Sequence, residues 1–173
     1  LQNHLADQCE IEVLADRALL ALQGPLAGAV LAKLAPESSE MIFMTAKTLV
    51  LNGIECFVTR SGYSGEDGFE ISVANSEAEA LARLLLADDA VEMIGLGARD
   101  SLRLEAGLCL YGHELDIDIS PVEASLLWAL SKSRRADGIR PGGYLGADII
   151  MAQIAEGVGR KRVGLKPLGK MPV

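Results

Sequence analysis

The sequence predicts an α+β fold in which an antiparallel sheet is flanked by helices. Short apolar or alternating runs in the first half of the chain have the length and period of strands. Asn52-Gly53 lies between two of these runs, and this pair is a strong signal for a hairpin of antiparallel strands. Helix-start patterns lie between and after the runs, so helices are expected beside the sheet.

The first predicted elements lie within residues 11–34. Residues 11–14 form an expected short strand, and the apolar residues 18–22 form a second strand that is buried. Gly24-Pro25 then opens a helix to about residue 34, because proline suits the first helical position.

The predicted hairpin strands are residues 45–51 and 54–59. A turn-rich loop follows, with glycines at positions 62, 65 and 68. In the next strand, residues 69–73, apolar positions 69, 71 and 73 alternate with Glu70 and Ser72. Because successive strand side chains point to opposite faces, Glu70 and Ser72 are expected on the polar face.

The rest of the chain is predicted to be mainly helical. Ser76 and Glu79 form a capping box for a helix to about residue 87, with an apolar stripe at positions 81, 84 and 85. Ser120 and Glu123 form a second box, with Pro121 at the first position of a helix to about residue 130. Further helices are expected at residues 98–108 and 146–155, and residues 162–165 read as a strand leaving for another domain.

The charge distribution limits the kinds of binding partner that are expected for this protein. The formal net charge is −8, which argues against a nucleic-acid partner. Residues 1–131 hold 7 Lys and Arg against 21 Asp and Glu, a net of −14, whereas residues 132–173 hold 9 against 3, a net of +6. This basic part is either a solvated face or linker, or a docking surface for an acidic protein.

Several classes of protein and site are not predicted. No apolar run approaches the roughly 18–20 residues of a membrane span, and no signal peptide is visible. The three cysteines and two histidines show neither a disulfide framework nor metal-ligand spacing. No Ser-His-Asp or Cys-His pairing is visible, so no catalytic residue is predicted.

The loop of residues 62–68 is glycine-rich, yet it lies between strands, whereas phosphate cradles precede a helix. It is either a hairpin connection that needs positive φ angles or a loop that positions Tyr63 and Glu70 around a flat ligand. Glu70 is in turn either a solvent-exposed strand residue or a carboxylate that accepts two parallel N–H bonds. A pterin or guanine ring presents such a pair of donors.

Two further positions leave alternatives open. Arg99 and Arg103 lie one helical turn apart, and each either forms an ion pair with a nearby acid, such as Asp100 or Glu105, or grips a ligand carboxylate. Trp128 is the only tryptophan, and it is either a core residue or the wall of a ligand site.

Five segments together resemble the aminomethyltransferase (T-protein) family of the glycine cleavage system. The order and spacing of the segments match the family over essentially the whole chain, and the set is specific although each motif alone is modest. The segments are ALQGP (21–25), TRSGYSGEDGFEI (59–71), GARDSLRLEAGL (97–108), YG (111–112) and SPVEA (120–124).

This resemblance implies a folate-binding aminomethyltransferase fold, here incomplete. Residues 1–90 would form a mixed α/β antiparallel-sheet domain, residues 91–160 the helical part of the folate-binding region, and residues 161–173 the start of a C-terminal barrel domain. The family transfers the one-carbon unit from the aminomethyl-lipoyl arm of the H-protein to tetrahydrofolate and releases ammonia. Glu70 matches the glutamate that holds the pterin ring, Arg99 an arginine at the ligand, and Trp128 an aromatic that contacts folate. Tyr63 is expected to line the same cavity.

Two family features fall outside the sequence, which is therefore expected to be truncated at both ends and inactive alone. These are a folate-activating aspartate upstream of Leu1 and a binding arginine beyond Val173. Three other interpretations stay open: the folate-binding domain of a dimethylglycine or sarcosine dehydrogenase, a folate-dependent iron–sulfur assembly factor, and a non-catalytic folate-binding or docking module. The assembly factors carry a cysteine motif that is absent from residues 142–148. The cytoplasm is the expected location, with the mitochondrial matrix as the alternative.

Overall fold

The chain forms two compact units, Leu1–Ala106 and Gly107–Val173. The computed structural model describes residues 9–166 and Leu168. Helix α3, which covers Leu96–Glu105, belongs to the first unit. The functional domain boundaries near residues 90 and 160 remain predictions.

The first unit is built around a four-stranded antiparallel sheet in the order β1-β4-β3-β2. Strands β2 and β3 form a hairpin, and Asn52 and Gly53 at its turn have φ angles of 50° and 87°. These left-handed values are the ones a two-residue hairpin turn requires. The predicted antiparallel sheet is therefore confirmed, with strands β1 Arg17–Gln23, β2 Ala46–Leu51, β3 Ile54–Thr59 and β4 Gly68–Ala74.

Helices α1 (Ala27–Leu34) and α2 (Ala78–Leu86) pack on one face of the sheet and enclose the core. Alternation along β4 buries Phe69, Ile71 and Val73 completely, as the sequence predicts. Each buried side chain of this kind contributes about 1.5–3 kcal/mol, so this face supplies most of the unit's cohesion.

The opposite face of the sheet, here called the open face, is defined by Leu19, Ala21, Thr48, Val50, Glu55, Phe57, Thr59, Glu70 and Ser72. Its apolar side chains remain accessible: Leu19 is 65% exposed and Phe57 is 48% exposed. Glu70 and Ser72 lie on the central strand β4 and are half-buried. The fold thus places Glu70 in the middle of a broad accessible surface.

The second unit is largely irregular. Helix α4 (Ala147–Glu156) confirms the predicted helix, and short 3₁₀ turns occur at Leu127–Ala129 and Lys132–Arg134. Several backbone carbonyl oxygens of this unit accept hydrogen bonds from arginine side chains. These bonds satisfy carbonyl groups that backbone amides would pair with in a helix or sheet. The donors are Arg134 to Gly142, Arg135 to Leu127 and Leu130, and Arg162 to Ala124 and Gly107.

Two predicted strands are wrong. Residues 11–14 have no ladder partner among the described residues, and the chain turns at Ala15 and Asp16 before β1 begins. Residues 162–165 also form no strand, because the backbone of Arg162 bonds to a turn: its N–H donates to the Glu123 carbonyl and its carbonyl accepts from Ser125. A strand needs a neighbouring ladder, which neither segment has among the described residues.

The predicted helix over residues 121–130 is also wrong, although its capping box forms. The Ser120 amide donates to Glu123 at 2.8 Å, and the Glu123 amide donates to the Ser120 hydroxyl at 3.1 Å. Only one turn follows, because Ser125 takes a φ of +60° and the chain departs from helical geometry. The Ala124 carbonyl then accepts an arginine N–H instead of a helical amide, and the Leu127 carbonyl accepts an arginine N–H together with the Leu130 amide.

The box predicted at Ser76 and Glu79 does not form. A 3₁₀ turn at Asn75–Glu77 precedes α2, so the helix begins at Ala78 with Glu77 as its N-cap and no side-chain cap. The apolar stripe of α2 is nevertheless confirmed, since Leu81 and Leu85 are buried and Leu84 packs against the core. Among the described residues, no helix has both the length and the apolar character that a bilayer span requires.

Candidate ligand site

The loop between β3 and β4, residues 60–67, is braced by an ion pair at its two ends. Arg60 donates from Nε to Asp67 Oδ1 at 3.0 Å and from Nη2 to Oδ2 at 2.7 Å, a bidentate geometry with high directional specificity. A third bond joins Arg60 Nη1 to the Met41 carbonyl. The hydrogen bonds from Arg60 hold the pKa of the Asp67 carboxyl below its usual value. The loop is therefore fixed rather than loosely connected.

Gln23, at the end of β1, fills the space inside this loop. Its Nε2 donates to the carbonyls of Ser61 at 3.0 Å and Phe69 at 3.2 Å, and its Oε1 accepts from the Ser64 hydroxyl at 3.0 Å. A Cβ on Gly62 would lie 1.8 Å from Gln23 Oε1, and a Cβ on Gly68 would lie 2.5 Å from its Nε2. These two glycines serve close packing against an amide.

Gly65 is the one glycine of this loop with a positive φ, of 82°. A Cβ there would also lie 2.6 Å from the Cβ of Ala106, at the end of α3. The loop and the first residue of β4 thus depend on both properties of glycine. Gly65 adopts a left-handed backbone, and the small size of Gly62 and Gly68 makes room for Gln23. The prediction of positive φ holds for Gly65 but not for Gly62 or Gly68.

Glu70 lies on the open face, opposite Ala21 of β1 and Thr59 of β3. The Ser61 hydroxyl is 3.0 Å from Glu70 Oε2 and 2.7 Å from Thr59 Oγ1, so a short chain of hydroxyls ends at the carboxylate. An ionised carboxylate has about four lone-pair positions, and one donor occupies only one of them. Glu70 is half-buried and retains capacity to accept further N–H donors.

Tyr63 and Arg99 lie together. The Arg99 guanidinium is 5.1 Å from the centre of the Tyr63 ring, within the range of a cation–π contact. Asp100 pairs instead with Arg103, from Nε at 2.7 Å, and the Arg103 side chain is only 1% exposed. The two arginines left open by the sequence are thereby distinguished: Arg103 is buried and pairs with the partly exposed Asp100, and Arg99 stacks on an aromatic ring.

Trp128 belongs to the second unit and is carried by the 3₁₀ turn Leu127–Ala129. It is 79% exposed, so the interpretation of Trp128 as a core residue is wrong. An exposed indole of this size is available to stack on a flat ligand.

The structure therefore brings three of the four candidate residues together in one unit. Tyr63 contacts Arg99, and Glu70 bonds to Ser61 in the loop that carries Tyr63. Gln23 and Ser61 organise this group, and sequence reasoning did not identify them. A usable signal was present, because two glycines bracketing a strand connection indicate a close approach by another group.

Comparison with known proteins identifies the family. The family model for the GCVT N-terminal domain matches residues 1–134. The chain belongs to the GCVT N-terminal domain family. The chain is also similar to a solved structure, the glycine cleavage system aminomethyltransferase T from Bartonella henselae. That structure matches with a TM-score of 0.80 and 46% sequence identity, over 91% of this chain and 42% of the other.

Relatives with high sequence identity to this chain come from two plants and an amoeba. The relative from Flaveria anomala is 54% identical over 157 residues, and that from Pisum sativum is 52% identical over 160 residues; the matches cover 89% and 91% of this chain and 38% of each relative. The Dictyostelium discoideum relative is 49% identical over 164 residues, covering 90% of this chain and 40% of the relative. All three are named "Aminomethyltransferase, mitochondrial", which does not support the predicted cytoplasmic location. The chain thus spans about two fifths of the length of these relatives.

Proposed function

We propose that this chain carries the folate-binding part of an aminomethyltransferase of the glycine cleavage system. The observation that carries the proposal is the Glu70 carboxylate, which lies on the accessible face of the sheet and bonds on one side to Ser61. A pterin presents a ring N–H beside an exocyclic amine, and an ionised carboxylate can accept both in parallel. The Glu70 carboxylate fits that demand because acceptor positions remain on its oxygens.

The roles of the neighbouring residues follow from their chemistry. Arg99 forms no ion pair among the described residues, and its stacking on Tyr63 orients the guanidinium while leaving edge N–H groups for a ligand carboxylate. Tyr63 supplies an aromatic wall beside that cation. Trp128 supplies an exposed indole for stacking on a folate ring.

The proposed reaction transfers the one-carbon unit of the aminomethyl-lipoyl H-protein to tetrahydrofolate, with release of ammonia. Two carbon–nitrogen bonds to folate form, while the bonds from that carbon to the amino group and to the lipoyl sulfur break. The two protons displaced from the folate nitrogens leave on ammonia and on the lipoyl thiol. No general acid or base is assigned in this chain. Its contribution is to hold the folate amine in place, and fixed geometry of this kind accounts for much of the rate in a two-substrate transfer.

Two features of the relatives bear on the other interpretations. The relatives and the solved structure described above are named aminomethyltransferases, which favours this activity over a dimethylglycine or sarcosine dehydrogenase. The names of the three relatives, from Flaveria anomala, Pisum sativum and Dictyostelium discoideum, also include a mitochondrial location, so we propose the mitochondrial matrix in place of the cytoplasm.

The test is a titration of the 173-residue protein with 5-formyltetrahydrofolate, followed by tryptophan fluorescence. Trp128 is the only tryptophan, so any signal comes from that ring. Saturable quenching is expected beyond the inner-filter absorption of the folate, which a parallel titration of free tryptophan measures. A change in emission that is linear in folate and never saturates would contradict the proposal.

A further inference from the structure

The turn that carries Trp128 is held by one arginine side chain. Arg135 Nη2 donates to the carbonyl of Leu127 at 2.8 Å and to the carbonyl of Leu130 at 3.2 Å. These two carbonyls lie on either side of Trp128, one before it and one after the turn ends. A single guanidinium nitrogen therefore fixes both ends of the segment that presents the indole.

This bracing is needed because the turn has little regular structure of its own. Within it, the Ala129 amide donates to Leu126 and the Leu130 amide donates to Leu127, which gives only 3₁₀-type bonds. Such single turns have poorer hydrogen-bond geometry than an α-helix and are used in short pieces. Without Arg135, the Leu130 carbonyl would lose the partner that the structure gives it.

The position of Arg135 is itself fixed by the fold of the following loop. The Gly138 amide donates to the Arg135 carbonyl and the Arg140 amide donates to the Ser133 carbonyl, both at 2.9 Å. A Cβ on Gly138 would lie 2.4 Å from the Ser133 carbonyl oxygen, so the loop closes tightly on itself. Arg135 is half-buried in this loop, and its Nε atom is buried.

We propose that Arg135 is a positioning residue for ligand binding, which acts by holding the Trp128 turn and does not touch the ligand. The proposal rests on the proposed function, since it assigns Trp128 to the folate site. Removal of the guanidinium frees the turn, and the indole then has to be ordered when the ligand binds. That ordering cost appears as weaker binding.

The experiment compares Arg135→Gln with a matched control, Arg140→Gln. Both variants remove one positive charge from the same loop, but Arg140 is exposed and its side chain makes no hydrogen bond among those the structure describes. Two quantities are measured in the 173-residue protein: the steady-state anisotropy of Trp128, and the Kd for 5-formyltetrahydrofolate by calorimetry. Circular dichroism establishes that each variant is folded at the temperature used.

Arg135→Gln is expected to lower the Trp128 anisotropy and to raise Kd about 10-fold, whereas Arg140→Gln leaves both near the wild-type values. Arg135→Lys keeps the charge and part of the reach, so its Kd is expected to lie between wild type and Arg135→Gln. If Arg135→Gln does not fold, the Trp128 anisotropy and the Kd of Arg135→Lys test the proposal instead.

Equal anisotropy and equal Kd for the Arg135 variants and Arg140→Gln would overturn the positioning role while leaving folate binding intact. An absence of binding by the wild-type protein would instead contradict the proposed function, and the positioning role with it. The two failures are therefore distinguishable.

Discussion

Asp67 accepts two parallel hydrogen bonds from Arg60, and these bonds close the loop that carries Tyr63. The hydrogen bonds lower the pKa of Asp67, so the folded state favours the ionised form. The stabilisation is therefore fully present above the ordinary carboxyl pKa of about 3.9 and is lost as the pH falls through the lower folded value.

We expect Asp67→Asn to reduce the free energy of unfolding by about 1 kcal/mol at pH 7, because the pair is partly solvated. The difference from wild type should shrink at acid pH, as the pH falls through the lowered pKa of Asp67 and the wild-type carboxyl also loses its charge. Urea unfolding at the two pH values measures it, with the exposed Glu66→Gln as the control. A difference of the same size at both pH values would contradict the assigned cause.

Gly62 and Gln23 are coupled by close packing, since a Cβ at position 62 would overlap the Gln23 amide. Gly62→Ala should displace that amide from its hydrogen bonds and cost about 1–3 kcal/mol of unfolding free energy. In a Gln23→Ala background the same substitution should cost less than about 1 kcal/mol, because the overlap is gone. Additive costs in this double-mutant cycle would show that the two positions act independently.

Two glycines in different elements should respond to alanine with opposite signs. Gly53 has a φ of 87° in the β2–β3 turn, whereas Gly97 lies within helix α3, and an added Cβ meets no atom within 4 Å at either position. Gly53→Ala should destabilise by about 1–2 kcal/mol through backbone strain alone. Gly97→Ala should stabilise by about 0.5–1 kcal/mol through helix propensity. Thermal unfolding tests both, and shifts of the same sign would contradict this conformational argument.

Elements with a strong local signal were predictable from the sequence. The Asn52-Gly53 turn and the alternation of β4 both depend on adjacent residues, and both are confirmed. The helix predicted over residues 121–130 failed because its local signal, the Ser120 and Glu123 box, describes only the first turn. The side chains of Arg135 and Arg162 then donate hydrogen bonds to backbone carbonyls of this segment. A local sequence pattern contains no information about such distant donors.

The candidate site was predictable to a similar degree. Alternation placed Glu70 on the polar face, and the loop composition indicated Tyr63. The choice between Arg99 and Arg103 was not made from residue spacing, which places Asp100 next to Arg99 and three residues before Arg103. Only the three-dimensional structure shows that Arg103 forms the ion pair with Asp100 and that its side chain is buried.

At the scale of the whole molecule, part of the positive charge near the C-terminus has a structural role. Residues 132–173 carry a net charge of +6, whereas the whole chain has a net charge of −8. Arg134, Arg135 and Arg162 direct side-chain N–H groups to backbone carbonyls, so part of that charge organises the irregular second unit. Lys132, Arg140 and Lys161 remain exposed, and docking of an acidic partner at these residues remains a prediction.

The central claim is that Glu70 holds the pterin of a folate. Calorimetric titration of 5-formyltetrahydrofolate into Glu70→Gln and Glu55→Gln tests it most directly, because both variants remove one carboxylate from the same face of the sheet. Glu70→Gln should weaken binding by about 2–3 kcal/mol, a rise in Kd of roughly 30- to 150-fold, since an amide donor replaces a charged acceptor. Glu55→Gln should bind like wild type. Equal Kd values for the two variants would contradict the assignment of Glu70.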